Sequence, residues 1–225
     1  MRPSHKAQQG FTLIELATVL VIIGLIIGGV LTGQQVIQNA RITNTVNAVQ
    51  AYEAQFQTYA QNYGALPGDD ASATTRFPNA ELASSGVGTG NGNGDAAVGT
   101  GNSADTTATS GNAAESRLIW AHLRAAGLVK NQVSATGSAV QPTTPFGGVV
   151  GFQNGAFSGV FTTTTLCLTK IPGSAAQTID AKLDDGASDQ GSVRATLDTG
   201  ATGSSSGTVE TSYADDQTYT MCAKL

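Results

Sequence analysis

The strongest constraint on this chain is an apolar segment close to its N-terminus. Between Phe11 and Leu31 the residues are mostly Leu, Ile and Val, and Glu15 is the one charged residue. About 20 consecutive apolar residues are what an α-helix needs to cross the hydrocarbon core of a bilayer. The segment therefore predicts a membrane-spanning helix. The basic residues Arg2 and Lys6 precede it and favour a cytoplasmic location for that end of the chain.

Glu15 needs an explanation, because a carboxylate within such a helix costs roughly 2.5–3.5 kcal/mol at mid-membrane and less towards its end. The surrounding residues, Gly10-Phe11-Thr12-Leu13-Ile14-Glu15-Leu16, resemble the processing signal of type IV prepilins and type II secretion pseudopilins. The resemblance implies that a membrane peptidase cleaves after Gly10, that the new N-terminal Phe11 is methylated, and that Glu15 guides filament assembly. Residues 1–10 would then be a leader peptide.

One other interpretation of this end remains open. Residues 1–31 could be an uncleaved signal anchor, with Glu15 merely reaching the headgroup region. An ordinary secretory signal would instead be cleaved after the apolar segment in an Ala-x-Ala pattern, and Gly33-Gln34-Gln35 provides no such site.

Apolar residues continue beyond Leu31 at intervals of three to four, the spacing of an amphipathic helix. They are Val36, Ile37, Ile42, Val46, Val49, Tyr52, Phe56, Tyr59 and Tyr63. We expect one helix over residues 11–63, with 11–31 as the transmembrane segment and filament core. The turn-forming Leu66-Pro67-Gly68-Asp69 ends it and resembles a loop of pseudopilin-like proteins.

Residues 64–225 are expected to form an exported globular α+β domain with flexible loops rich in Gly, Asn, Ser and Thr. Charged residues make up only 12% of the chain, a value more typical of an exported surface protein than of a cytosolic enzyme. The net charge of −5 argues against a nucleic-acid partner, which would require a basic surface. Residues 84–111 contain almost no large apolar side chain and are predicted to be an exposed, mobile loop.

Short regular elements are predicted in the rest of this domain. An Asn112-to-Glu115 capping box begins a helix that carries Trp120 as a core residue. The other elements are a β-hairpin turning at Asn154-Gly155, strands at Thr163–Lys170, Ser192–Leu197 and Thr218–Ala223, and a helix at Pro172–Leu183. The fold class is therefore α+β, with a long N-terminal helix, its first half transmembrane, packed on a C-terminal antiparallel sheet. The resemblance implies a pilin-like arrangement.

Cys167 and Cys222 both fall in the part of the chain expected outside the cytoplasm, where thiols oxidise. We expect a structural disulfide, worth about 4 kcal/mol on the entropic model, although two separate thiols remain the alternative. No Cys-x-x-Cys spacing suggests redox catalysis. The family resemblance implies the same bridge, because many type IV pilins have a disulfide-bounded C-terminal region.

Two groups of oxygen-bearing side chains are weak calcium candidates. The first comprises Asn91, Asn93 and Asp95, and the second comprises Asp180, Asp184, Asp185 and Asp189. Neither completes an EF-hand, since the bidentate glutamate is missing, and solvated turns are the favoured alternative. No cofactor other than this possible calcium is expected.

Catalytic motifs are not apparent. His122 is the only histidine beyond the predicted leader, and we expect it at the surface or the edge of the core. The sequence thus favours a structural subunit of a type IV pilus-like filament over an enzyme. The alternatives are a pseudopilin of a type II secretion system, a membrane-anchored adhesin that does not polymerise, and an exported hydrolase dependent on His122.

The resemblance also implies partners and a location. The partners are further copies of the chain through the N-terminal helix, the prepilin peptidase and methyltransferase, and an inner-membrane assembly platform. The precursor is expected in the bacterial inner membrane, and the mature subunit in an extracellular pilus or a periplasmic pseudopilus.

Overall fold

The structure is a computed structural model that describes residues 11–78, 90–99, 112–130, 140–198 and 207–225. Its longest element is helix α1, Leu13–Tyr63, which contains 51 residues. The chain divides into two compact units, one extending to Ala40 and the other beginning at Arg41. The predicted helix end at Tyr63 is confirmed.

In the first unit, every side chain from Phe11 to Ala40 is exposed. This part of α1 is long and apolar enough to cross a membrane, judged by length and composition. Val36 and Ile37, the first two residues of the predicted amphipathic series, are 63% and 56% exposed. The buried face of α1 begins at Ile42.

In the second unit, α1 contributes one face to the hydrophobic core. Its buried residues recur every three to four positions, which places them on a single side of the helix. They are Ile42, Thr45, Val46, Val49, Phe56 and Tyr59. The rings of Tyr52 and Trp120 meet edge to face at 5.0 Å, and the Phe56 ring stacks on that of Phe152 at 5.1 Å. Trp120 is fully buried, as the sequence predicted.

Four strands form an antiparallel sheet in the order β1-β2-β4-β3. They are β1 Val150–Ala156, β2 Phe161–Pro172, β3 Val193–Leu197 and β4 Thr218–Lys224. Among the described residues, the helices after α1 are α2 Ala73–Arg76, α3 Asn112–Ala125 and α4 Gly173–Leu183. The predicted α+β class, a long N-terminal helix followed by a C-terminal antiparallel sheet, is confirmed.

The β-hairpin exists, but its predicted turn is wrong. Asn154 and Gly155 lie inside β1, where Gly155 has φ +75° and the register with β2 shifts. The chain reverses later, in a 3₁₀ turn at Phe157–Gly159. Phe157 and Phe161 explain this, since they are buried beside Cys167 in a separate small core. If the chain reversed at Asn154-Gly155, the hairpin would end before Phe157, and this small core could not form.

The interpretation of residues 84–111 as one exposed loop holds for residues 93–96, which are exposed and irregular, and is wrong for both ends of the described segment 90–99. Gly90, Val98 and Gly99 are buried, and Val98 belongs to the main core. The reason is a set of hydrogen bonds from distant residues, which a local composition argument does not detect. Residues 84–89 and 100–111 lie outside the described part of the chain.

Cys167 on β2 and Cys222 on β4 occupy directly opposite positions in the sheet. Their sulfur atoms form a disulfide, with a sequence separation of 55 residues. The bridge therefore joins the last strand to the middle of the domain.

Candidate functional site

The N-terminal end of α1 is the first candidate site. Phe11 is 86% exposed, and the large apolar residues that follow it up to Leu31 are also exposed in the single chain. Gly10 lies outside the described residues. Apolar area of this size gains free energy when it leaves water, so the segment is suited to a bilayer or to the helices of neighbouring molecules.

Glu15 and Thr12 cap the first turn of α1 reciprocally. The Glu15 atom Oε2 accepts hydrogen bonds from the backbone N–H and from the hydroxyl of Thr12, both at 2.8 Å. The Thr12 hydroxyl oxygen accepts in turn from the Glu15 backbone N–H at 3.3 Å. This is a capping box, which sequence reasoning missed although the Thr-x-x-Glu pattern signals it. The carboxylate also lies where the helix dipole favours negative charge.

The second candidate site is built around His122 on α3. Its Nδ1 accepts a hydrogen bond from the backbone N–H of Gly68, and its Nε2 lies 2.9 Å from the carbonyl oxygen of Gly90. Because Nδ1 is an acceptor, the ring proton is on Nε2, which donates to Gly90. His122 has no exposed surface, so its predicted place at the surface or core edge is wrong. Both ring nitrogens bind backbone groups, which leaves neither of them free to act as a general base.

Asp69 anchors the segment 90–99 through its carboxylate. Its Oδ1 accepts from the backbone N–H groups of Gly94 at 2.6 Å and Asp95 at 3.1 Å. Its Oδ2 accepts from the N–H of Ala96 at 2.8 Å. Asp69 is only 4% exposed, so these three donors compensate for much of the cost of burying its charge. The Leu66–Asp69 turn thus binds a segment about 25 residues further along the chain.

Gly92 permits the close approach of these two segments. A Cβ atom at this position would lie 2.3 Å from the backbone Cα and carbonyl carbon of Asp69. The Gly92 N–H donates to the carbonyl oxygen of Asp70 at 3.1 Å. Any larger residue would therefore push the segment away from the turn.

Glu115 on α3 is the third acidic member of this site. Its Oε1 accepts from the backbone N–H of Asn93 at 3.2 Å, and Oε2 has no hydrogen-bond partner among the described residues. Burial raises the pKa of Glu115 to about 7, and the charges of Asp69 and Asp95 contribute to the rise. One carboxylate oxygen from each of Asp69, Asp95 and Glu115 lies within 4.8 Å of the others.

This acidic cluster differs from the first predicted calcium group. Asp95 is in it, but the Oδ1 of Asn91 accepts from the Thr74 N–H at 2.9 Å and that of Asn93 accepts from the Asp95 N–H at 2.8 Å. The two asparagine oxygens therefore accept hydrogen bonds from backbone N–H groups and hold the conformation of the segment 90–99. Asp69 and Glu115 were missed because they come from separate parts of the sequence.

In the second predicted group, Asp180, Asp184 and Asp185 come together, and Asp189 is not part of that cluster. Asp180 is fully buried, and its Oδ2 accepts from the Tyr213 hydroxyl at 2.6 Å. Burial raises the pKa of Asp180 to about 6. Asp184 accepts from the Val193 N–H at 3.2 Å. Asp180 is thus a core residue rather than part of a solvated turn.

Comparison with known proteins gives information on the N-terminal segment. No curated protein and no solved structure matches the chain. Residues 5–31 match the family model of the prokaryotic N-terminal methylation motif. This match contains Gly10, Phe11 and Glu15, and its apolar part coincides with the exposed beginning of α1. The chain therefore carries the prepilin signature of type IV pilins and pseudopilins.

Proposed function

We propose that this protein is the precursor of a structural subunit of a type IV pilus-like filament. The observation that carries the proposal is the methylation motif at residues 5–31, followed directly by a helix whose apolar side chains are exposed. The precursor inserts this helix into the inner membrane and is cleaved after Gly10. Phe11 is then methylated, and the assembly platform transfers the apolar segment from lipid to the core of a growing filament.

Glu15 sets the axial position of an incoming subunit. Cleavage leaves a positively charged amine on Phe11, and a carboxylate on a neighbouring helix can pair with it. Each charge then offsets the burial cost of the other in the low-dielectric filament core. In the single chain, Oε2 holds two Thr12 donors, whereas a carboxylate has about four acceptor positions. Glu15 can therefore keep its two hydrogen bonds from Thr12 and also accept one from the Phe11 amine of a neighbouring molecule.

The assembly role is tested with Glu15→Ala and Glu15→Gln, with Glu53→Gln on the same helix as the matched control. Glu53 lies beyond the methylation motif. We expect all three variants to be inserted and cleaved after Gly10, and the two Glu15 variants to yield at least about tenfold less filament. Normal filament yield from Glu15→Ala would refute the role of Glu15 in assembly.

A pseudopilin of a type II secretion system is the second candidate, and the Leu66-Pro67-Gly68-Asp69 turn favours it by its resemblance to pseudopilin-like proteins. Intact-mass and N-terminal analysis of sheared filaments and washed membranes separates the two. A methylated Phe11 in sheared filaments indicates a surface pilin. The same terminus found only in membranes indicates a pseudopilin, and a retained leader in both fractions contradicts the filament proposal and indicates a membrane-anchored protein.

A further inference from the structure

Three carboxylates from three separate parts of the chain converge beside His122. Asp69 lies in the turn after α1, Asp95 in the segment 90–99 and Glu115 in the first turn of α3. One oxygen of each lies within 4.8 Å of the others. Arg76 forms its ion pair with the neighbouring Asp70, at 3.3 Å. Three negative charges this close repel one another strongly unless a cation or a proton lies between them.

Glu115 provides an independent indication of a ligand. The residue is only 3% exposed, and its Oε2 has no hydrogen-bond partner in the part of the chain that the structure describes. Buried carboxylate oxygens are normally paired, because an unpaired one loses its hydration without compensation. Its other oxygen holds the Asn93 N–H, which fixes the carboxylate within the cluster. Glu115 therefore has an unused acceptor oxygen, and the residue is one of the three carboxylates of the cluster.

We propose that Asp69, Asp95 and Glu115 bind a Ca²⁺ ion that fastens the segment 90–99 to α3. The donor set contains only oxygen atoms, which suits a hard cation and not zinc. Calcium takes six to eight oxygen ligands in a flexible geometry, which suits carboxylates from three separate chain segments, whereas magnesium demands a near-ideal octahedron.

The remaining coordination positions are filled by water. Asp95 is exposed, and Asp69 lines an open cavity of about 490 Å³ together with Gly94 and Ala96. Asp69 uses three acceptor positions for backbone N–H groups, and a carboxylate retains about one more. With three carboxylates and several waters, the affinity belongs in the range of extracellular calcium modules, a Kd of about 10⁻⁴ to 10⁻³ M.

The competing explanation is a proton on Glu115, and the substitution Glu115→Gln separates the two. A glutamine keeps the shape and resembles the protonated acid, so it suits a site that holds a proton. It removes the charge that a calcium site requires. Asp185→Asn in the other acidic cluster is the matched control, because it also removes one acidic charge but leaves the proposed site intact.

The experiment is calorimetric titration of Ca²⁺ into the full chain in detergent micelles, after removal of bound ions with EGTA. We expect the wild type and Asp185→Asn each to bind one equivalent of Ca²⁺ more than Glu115→Gln binds. Asp95→Asn, at an exposed position, should weaken that equivalent by about tenfold or more without disturbing the fold. Calcium at 5 mM should also raise the Tm of the wild type by a few degrees and leave that of Glu115→Gln unchanged.

Two outcomes would overturn the proposal. One is a wild type that binds no Ca²⁺ at 5 mM, and the other is a Glu115→Gln variant that binds as many equivalents as the wild type with the same affinity. Circular dichroism establishes that each variant is folded before titration. Filament assembly is measured separately with the Glu15 variants, so failure of the calcium site leaves the proposed function untouched, and the reverse also holds.

Discussion

The backbone N–H of Gly68 donates to Nδ1 of His122 at 2.9 Å, although 54 residues separate them in the chain. The opposite side of the same ring binds the Gly90 carbonyl oxygen at 2.9 Å. One neutral imidazole thus joins the turn after α1, helix α3 and the segment 90–99. A protonated ring would carry a hydrogen on Nδ1, directed at the Gly68 N–H, and this junction would be lost.

Acid should destabilise the protein through His122. Burial lowers the pKa of His122 below its usual value of about 6.5, so the unfolded chain takes up this proton more readily than the folded one. The contribution to stability is fully present above pH 6.5 and is lost as the pH falls through the folded-state pKa. Urea unfolding at a series of pH values between 8 and 4.5 measures it.

The variant His122→Gln removes this titration and should be less stable than the wild type at pH 8. The difference in unfolding free energy between the two proteins should narrow towards pH 4.5. His5→Gln is the control, since His5 lies in the predicted leader and is the other histidine of the chain. A gap between wild type and His122→Gln that stays constant with pH would contradict the prediction.

Tyr213→Phe should destabilise the domain most at neutral pH. The Tyr213 hydroxyl donates to the buried carboxylate of Asp180, whose pKa burial raises to about 6. A raised pKa means that stability is present at low pH and is lost as the pH rises through about 6. Removing the donor raises this pKa further, because that hydrogen bond lowers it.

We therefore expect Tyr213→Phe to lose about 1.5–3 kcal/mol of unfolding free energy at pH 7.5, where Asp180 is charged, and less at pH 4. Urea unfolding of both proteins at the two pH values measures the difference. Equal losses at pH 4 and pH 7.5 would show that Asp180 ionisation is not involved.

Gly92→Ala should loosen the segment 90–99. Its Cβ would lie 2.3 Å from the Asp69 backbone, so one of the two chain segments has to move. Overpacking of this kind costs about 1–3 kcal/mol. Thermal unfolding and hydrogen exchange of the Gly94, Asp95 and Ala96 amides measure the effect. Gly33→Ala, where a Cβ meets nothing within 4 Å, should not lower Tm.

Loss of the Cys167–Cys222 disulfide should lower the free energy of unfolding by about 4 kcal/mol, because the closed loop spans 55 residues. The double variant Cys167→Ser/Cys222→Ser measures this in urea unfolding. Reductant should lower the stability of the wild type by a similar amount and leave the variant unaffected. A difference below about 1 kcal/mol would mean that the bridge contributes little to stability.

Elements with strong local patterns were predictable from the sequence. Helix α1 follows from apolar residues spaced along one face, and the burial of Trp120 follows from its place in an apolar stretch of α3. The bounds of α4 and β4 differ from the predicted ones by one residue. In each case, the residues that decide the structure are close together in the chain.

The acidic cluster was not predictable in this way, because its parts meet only through tertiary contacts. Asp69 looks like a turn residue until the N–H groups of segment 94–96 are placed on its carboxylate. His122 looks like a surface residue until Gly68 and Gly90 satisfy its two nitrogens. The Asn154-Gly155 pair shows the opposite error. Its local pattern predicts a turn, but the strand continues through it and Phe157 is buried beyond it.

The strand order of the sheet also determines when this domain can finish folding. β4 is the last of the described strands in chain order, yet it lies between β2 and β3. During synthesis, β1 and β2 can pair early, while β3 must wait for Thr218–Lys224. Until those residues arrive, β2 and β3 present open edges to any other strand. The interval before β4 inserts is therefore the period in which the nascent chain most needs protection from aggregation.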